Sequence, residues 1–421
     1  LGLFFFTSHI THFRSPPVML SVADAFELVG QQVRPLAETR VSLGEALGLT
    51  LAESVTSNQD SPPFDKSMLD GYAIDVGDGS TQRRIIERVI AGGIPEKSVE
   101  PGTTILVMTG APIPRGANAV VKHEETQLLD ETTVQFPDQP GKVGAGIFRQ
   151  GSSFQKGQVV LQAGKRVRSI ELALLAEVGS ASVAVVPRPR VAVLATGNEI
   201  VECDQPPAAG QIRNSNGPML VAAVTEVGGT AQYLGIARDD PEALRSAIAR
   251  GLESDVLLIT GGVSAGVMDL VPGVLQELGV VQVFHKIRMK PGKPLWFGVR
   301  DSAGRRTLVF GLPGNPVSTL VTFQLFVKPV IEALAGAGFQ SPATELGKLL
   351  APAKHRGDRP TYHPCHIVRD RQGQALVEPL AWGGSSDLAA LARANGLVLL
   401  GPGEYELSHG AEVEVMALYC G

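Results

Sequence analysis

Cysteine is scarce: Cys203, Cys365 and Cys420 are the whole complement of a 421-residue chain. Three thiols, odd in number and far apart, argue against a disulfide framework and point to a reducing compartment, the cytosol. An excess of positive charge is missing too. With 37 basic against 42 acidic residues the formal net charge is −5. That argues against a nucleic-acid surface while leaving room for a local basic pocket. No apolar run has the length of a membrane span. Leu1–Phe6 is far too short, and it lacks the basic segment and small-residue cleavage site of a secretion signal. Repeats of solenoid type are absent.

What is present points to a multidomain globular protein. Hydrophobic residues make up 44% and charged residues 19%, and the length suits about two to four domains. The 48 glycines and 29 prolines demand many loops and short strands. Ser21 and Asp24 form an S-x-x-D box that predicts a helix with Val22, Phe26, Val29 and Val33 on one face. Residues 1–18 read as a disordered extension. VSLGEALGLTLAESV (41–55) reads as a second helical stretch. Residues 61–147, with TTILVM, NAVVKH and TTVQF, predict a small barrel-like β domain, and SIELALLAEVG another helix. From Arg190 onward strand and helix alternate, which predicts a mostly parallel sheet covered on both faces. Residues 341–421 return to short strands.

Ligands of such sheets bind beyond the carboxyl ends of the strands. Three Gly-bearing loops fall there: Thr196-Gly197-Asn198-Glu199, then Thr260-Gly261-Gly262-Val263-Ser264 with Asp269 following, then Gly311-Leu312-Pro313-Gly314-Asn315-Pro316. Such loops let backbone N–H groups approach an anion. KIRMKPGKP adds cations. In extended geometry Lys286, Arg288 and Lys290 share a face, and the rigid segment carrying Lys293 favours an oxyanion site over a merely solvated edge. Asp65 and Asp70, in SPPFDKSMLDGYA, are five apart and are not expected to share one site.

Six colinear stretches carry a resemblance: SPPFDKSMLDGYA, VMTGAPIPRGANAVV, VLATGNEI, TGGVSAGVMD, KIRMKPGKPLWFG and FGLPGNPVST. Together, from Met19 onward, the chain resembles the molybdopterin molybdenumtransferase (MoeA) family, related to the gephyrin E domain. The resemblance implies a multidomain α/β plus β fold. Its parts are a helical linker domain (19–60 and 148–185), a β domain (61–147), a three-layer α/β molybdopterin-binding domain (186–338) and a C-terminal β-barrel (339–421). It further implies a cytoplasmic homodimer whose cleft lies between the α/β domain of one copy and the second domain of the other. A molybdopterin adenylyltransferase would supply the substrate, and apo-molybdoenzymes or their chaperones would receive the product; neither nucleic acid nor membrane is a partner.

The implied reaction inserts molybdate into adenylylated molybdopterin with Mg²⁺-dependent release of AMP. By that match the catalytic set is Asp70, Thr109, Glu199, Asp239, Asp269, Lys286 and Lys290, with Asp70, Glu199 and Asp269 toward Mg²⁺ and Thr109 orienting a phosphate or the oxyanion. The substrate-binding set is Gly261, Gly262, Ser264, Arg288, Lys293, Pro313, Gly314, Asn315, Pro316, Arg359 and Ser385. The chain departs from the family at Phe148, where Arg is common, and at Ser153 and Asn198, where Asp is common. A further departure is Val267, where Glu is usual. Arg149 stands next to Phe148 as a candidate replacement. These losses of charge leave a non-catalytic molybdopterin-binding scaffold as the alternative; a CinA-type nucleotide hydrolase fits less well, because the second-domain motifs are present. His363-Pro364-Cys365-His366 invites a zinc reading, but no second Cys/His pair is near and the stretch reads as a strand. Trp296 and Trp382 read as packing residues, Trp382 with a place beside the cleft.

Overall fold

The cap expected at Ser21 is formed. Asp24 N–H donates to Ser21 Oγ at 3.1 Å, and Asp24 Oδ2 accepts from Ser21 N–H at 3.3 Å, opening α1 (Val22–Gly30). Ala25 and Val29 are fully buried along it, one helical turn apart. The computed structural model describes residues 19–262 and 270–418, so the expectations placed on residues 1–18, Ser264, Val267, Asp269 and Cys420 lie outside the described residues. The described chain divides into two compact units, residues 40–47 with 51–185, and the remainder.

The second helix expected over 41–55 does not form. Ser42 and Glu45 do make a capping box, but it opens only the single 3₁₀ turn Leu43–Glu45, and the rest is short strands at Thr50–Leu51 and Val55–Thr56. Gly48 sits at φ +77°, outside the helical region, and Gly44 lowers helix propensity further.

The smaller unit contains β1 (Lys66–Ser67), β2 (Gly71–Ile74), β3 (Gln82–Val89), β4 (Thr103–Val107), β5 (Ala119–Lys122), β6 (Gln127–Leu128), β7 (Thr133–Gln135) and β8 (Ile147–Phe148). Strands β2 to β7 make one sheet in the order β5-β2-β4-β3-β7-β6, while β1 pairs with β8. The order is open, not the barrel-like closure expected. Arg83, only 1% exposed, fills the sheet's end by donating to the carbonyls of Ser80, Asp75 and Asp78. The helix α2 (Ser169–Glu177) and the strand Ser182–Val186 follow in the sequence. Glu171 of the helix is buried and takes hydrogen bonds from the Arg168 guanidinium and backbone, which bring the carboxyl from an ordinary 4.5 down to about 2. A carboxyl depressed by folding contributes stability above its unfolded pKa and loses it as pH falls through the folded one. Glu171→Gln should therefore destabilise this unit at neutral pH and make little difference near pH 2. Denaturant melts showing the same deficit at both pH values would contradict this.

The larger unit holds β9 (Arg190–Thr196), α3 (Asn216–Glu226), β10 (Thr230–Ala237), α4 (Pro241–Gly251), β11 (Val256–Thr260), α5 (Val271–Glu277), β12 (Val281–His285), β13 (Trp296–Ser302), β14 (Arg305–Leu312) and α6 (Pro316–Leu334). The strand order is β10-β9-β11-β14-β13-β12, with the first four parallel and the last two antiparallel. Alternate residues of β9 feed two separate apolar clusters. Val191 and Val193 pack with Leu220 of α3 and Val321 of α6, whereas Ala192 and Leu194 pack with Leu244 of α4 and Val274 of α5. That is why Val191–Ala195 reads as an unbroken apolar run. One correction to the sequence reading concerns α6. This helix is long and apolar enough to cross a membrane, yet 89% of it is buried inside the protein as the unit's core helix.

The chain ends in β15 (Glu345–Leu349), β16 (Thr361–Arg369), β17 (Ala375–Pro379), α7 (Leu388–Arg393), β18 (Gly396–Leu400) and β19 (Glu412–Ala417). The strands close as a barrel in the order β15-β17-β16-β18-β19 around Val377, Val398 and Val415. The architecture is thus the multidomain α/β plus β fold expected.

Candidate active site

In the smaller unit, Asp70 stands on the turn into β2. Both the backbone N–H and the hydroxyl of Thr109 donate to Asp70 Oδ1, at 2.7 and 2.8 Å. These two donors hold its carboxyl below the usual range. The loops carrying the pair are tied by backbone bonds: Gly110 N–H to Ser67 O, Ser67 N–H to Ala111 O, and His123 N–H to Asp70 O. Gly71 is required here, because a Cβ would lie 2.0 Å from Val121 O on β5. Asp65, as expected, serves elsewhere. It accepts from Arg149 Nη1 at 2.6 Å and from Gln150 N–H at 2.8 Å. Arg149 is therefore committed to Asp65 and does not stand free to replace an arginine at Phe148, whose ring instead faces Lys66 Nζ at 5.5 Å.

In the larger unit two of the cavities at the carboxyl ends of the parallel strands share a wall. The first, of about 390 Å³, is lined by Lys290, Lys293, Arg359, Asn315, Ser385 and Trp382 among others. Three cations around one opening suit an anion. The second, of about 330 Å³, is lined by Glu199, Arg213, Asn216, Thr260, Gly261 and Pro316 among others. Gly314 and Asn315 belong to both walls. Their loop is held from behind: Pro313 O accepts from Thr260 Oγ1 at 3.2 Å and from Thr319 Oγ1 at 2.6 Å, and Gly314 O from Asn216 Nδ2 at 2.7 Å. Asn315 Nδ2 donates to Ser385 Oγ at 2.8 Å.

The extended geometry expected of 286–290 is not observed. Lys286 has φ +72° and ends the ladder at His285, so the even spacing no longer guarantees a common face. Ile287 and Met289 are nevertheless fully buried and Arg288 and Lys290 exposed. Only Lys290 of the three lines the first cavity; Arg288 donates to Asp358 O at 3.3 Å. Backbone bonds strap this segment to the barrel: Lys290 N–H donates to Pro360 O at 2.8 Å, and Tyr362 N–H to Lys290 O at 2.7 Å.

Glu199 lines the second cavity, and no hydrogen bond to its carboxylate is formed among the described residues. Gly197 makes the room it occupies, since a Cβ there would meet Glu199 Oε2 at 2.4 Å. Asp239 lines neither cavity. Its backbone N–H donates to Asn198 Oδ1 at 3.2 Å, and its Oδ2 accepts from Asn198 N–H at 3.3 Å, a reciprocal clasp between the ends of β9 and β10. Among the described residues no three His, Cys, Asp or Glu side chains come together as a ready metal cluster. An unpaired carboxylate beside a Gly-lined cradle does fit Mg²⁺, which is held by one or two carboxylates plus substrate phosphates and water.

The strand reading of 361–368 stands. Burial pushes the Cys365 thiol up to about 12, and His363 Nε2 lies 2.9 Å from Leu380 O with its ring edge-on to Trp382. Sequence reasoning missed Asn216, Thr319 and Ser318, and named Thr260 only as a member of its Gly-bearing loop. The clue available was RNSN (213–216), four polar residues where a buried helix begins. Asn216 is buried, and its Oδ1 has no partner among the described residues.

Residues 20–179 match the model of the MoeA N-terminal region (domain I and II), 192–333 that of a probable molybdopterin binding domain, and 347–418 that of the MoeA C-terminal region (domain IV). A molybdopterin molybdenumtransferase of Bacillus subtilis is 34% identical over 393 residues, covering 90% of this chain and 89% of the relative. One from Synechococcus elongatus is 35% identical, covering 95% and 100%. The solved molybdopterin biosynthesis MoeA protein of Pyrococcus horikosii superposes with a TM-score of 0.80 at 31% identity, covering 96% of this chain and all of that one.

Proposed function

Because the chain belongs to the MoeA family, we propose that it is a molybdopterin molybdenumtransferase, inserting molybdate into adenylylated molybdopterin and releasing AMP. The observation that carries the reading is the pair of cavities sharing Gly314 and Asn315, one ringed by Lys290, Lys293 and Arg359 and the other lined by Glu199, whose carboxylate takes no hydrogen bond among the described residues. The cationic cavity takes the oxyanion, with Ser385 and Asn315 as polar partners. The second takes the adenylate phosphates against Gly261 and Gly262. Pro313 and Pro316 fix the wall between them. Glu199 would hold Mg²⁺, which when bound offsets charge on the phosphate oxygens as the phosphoanhydride breaks. Arg288 braces the segment carrying Lys290 by donating to Asp358 O, whereas Lys286 and Asp239 join the set by resemblance. Asp269 and Ser264 complete the set by resemblance alone.

The protein works in the cytoplasm as a homodimer in which Asp70 and Thr109 of one copy serve the cleft of the other. An adenylyltransferase supplies its substrate, and apo-molybdoenzymes or their chaperones take the product. The test is to incubate the chain with adenylylated molybdopterin, molybdate and Mg²⁺ and to follow AMP. Release above background is expected, and Lys290→Ala with Arg359→Ala should raise the molybdate requirement by at least about tenfold. Tight binding of molybdopterin with no AMP formed would instead establish the scaffold.

A further inference from the structure

The family resemblance implies that Thr109 orients a phosphate or the oxyanion. The geometry points to a different role, which rests on the proposed function: we infer that Thr109 is a positioning residue acting through Asp70, fixing Oδ1 so that Oδ2 alone is presented to the ligand. Two donors of one residue, N–H at 2.7 Å and hydroxyl at 2.8 Å, converge on a single oxygen. A bidentate hold of this kind allows neither rotation about the carboxyl nor exchange of the two oxygens without breaking both bonds. The hydroxyl proton is thereby used, so the side chain of Thr109 has no proton left to give a phosphate. Oδ2, by contrast, takes no hydrogen bond among the described residues.

The surrounding backbone makes the arrangement rigid, not incidental. Gly71 of β2 faces Val107, the last residue of β4, across an antiparallel pair, so Asp70 and Thr109 leave neighbouring strand ends. Gly110 N–H to Ser67 O and His123 N–H to Asp70 O anchor the two loops independently of the side chains. The loops therefore keep their course when the Thr109 hydroxyl is removed, and the carboxylate is what gains freedom. The nearby charged side chains, Lys66 on β1 and Lys122 at the end of β5, form no ion pair with Asp70; Lys122 reaches Glu125 instead.

A double-mutant cycle reads this directly. Thr109→Val, Thr109→Ser, Asp70→Ala and the Val/Ala double variant are compared for AMP release and, by calorimetry, for affinity toward adenylylated molybdopterin. Thr109→Val should slow release about tenfold, Thr109→Ser should restore most of it, and melting temperatures should match the wild type. In the Asp70→Ala background Thr109→Val should change neither rate nor affinity. A full additional loss in that background, in either quantity, would mean that Thr109 meets the ligand itself and would overturn the inference. So would a Ser variant as poor as the Val variant. Absence of AMP release by the wild type would overturn the proposed function instead, so the two failures are told apart.

Discussion

Asp70→Ala should lower AMP release by at least about a hundredfold while leaving thermal unfolding unchanged. The side chain is exposed and, among the described residues, accepts hydrogen bonds only from the exposed Thr109, so its removal leaves no buried group of theirs unpaired. The charge, not the packing, is what disappears. If Asp70 serves the cleft of a second copy, the loss is also recoverable in trans. Mixing Asp70→Ala chains with Lys290→Ala/Arg359→Ala chains, at molybdate too low for either to work alone, makes half of the dimers mixed. Each mixed dimer has one intact cleft and one carrying both lesions, so activity should return to roughly a quarter of the wild type. Activity that stays at the level of the separate variants after subunit exchange would place Asp70 in the cleft of its own chain or outside any cleft.

The second large effect is on stability. Gly71→Ala should destabilise the smaller unit by about 3 kcal/mol or more, because overpacking here meets backbone and not a movable side chain. The new methyl would sit 2.0 Å from Val121 O and 3.1 Å from Lys122 Cα, both on the paired strand β5. Relief requires β2 and β5 to separate, which breaks the ladder between Gly71 and Lys122 and moves Asp70. The measurement is a denaturant melt followed by a probe in residues 51–185. A change within about 0.5 kcal/mol would show that the strands part more easily than their register implies.

The α/β portion was the most legible in sequence, for a reason visible in β9. A strand buried on both faces leaves no polar interruption, and the flanking Gly and Asp-Pro signals mark its helices. The failures came where local chemistry allowed two outcomes. Ser42 donates its N–H and its hydroxyl to Glu45 Oε2, contacts typical of a helix start, but Gly44 and Gly48 stop the helix after one turn. Closure of the C-terminal barrel against the openness of the earlier sheet depends on one long-range pairing, β15 with β19, that no window of sequence contains. At the site, the loops were found by their glycines and the cations by their spacing. The left-handed Lys286 was not, since a lysine at positive φ has no composition signal. Nor was the grip of Thr260, Thr319 and Asn216 on the Pro313–Gly314 carbonyls, because polar residues near strand and helix ends read equally well as caps.

The two-way strap between Lys290 and the start of β16 limits how a guest can arrive. Peptide groups at Lys290, Pro360 and Tyr362 interlock the lysine-bearing segment with the barrel, so that side of the cationic chamber cannot swing like a door. A guest therefore meets that wall with its shape already set.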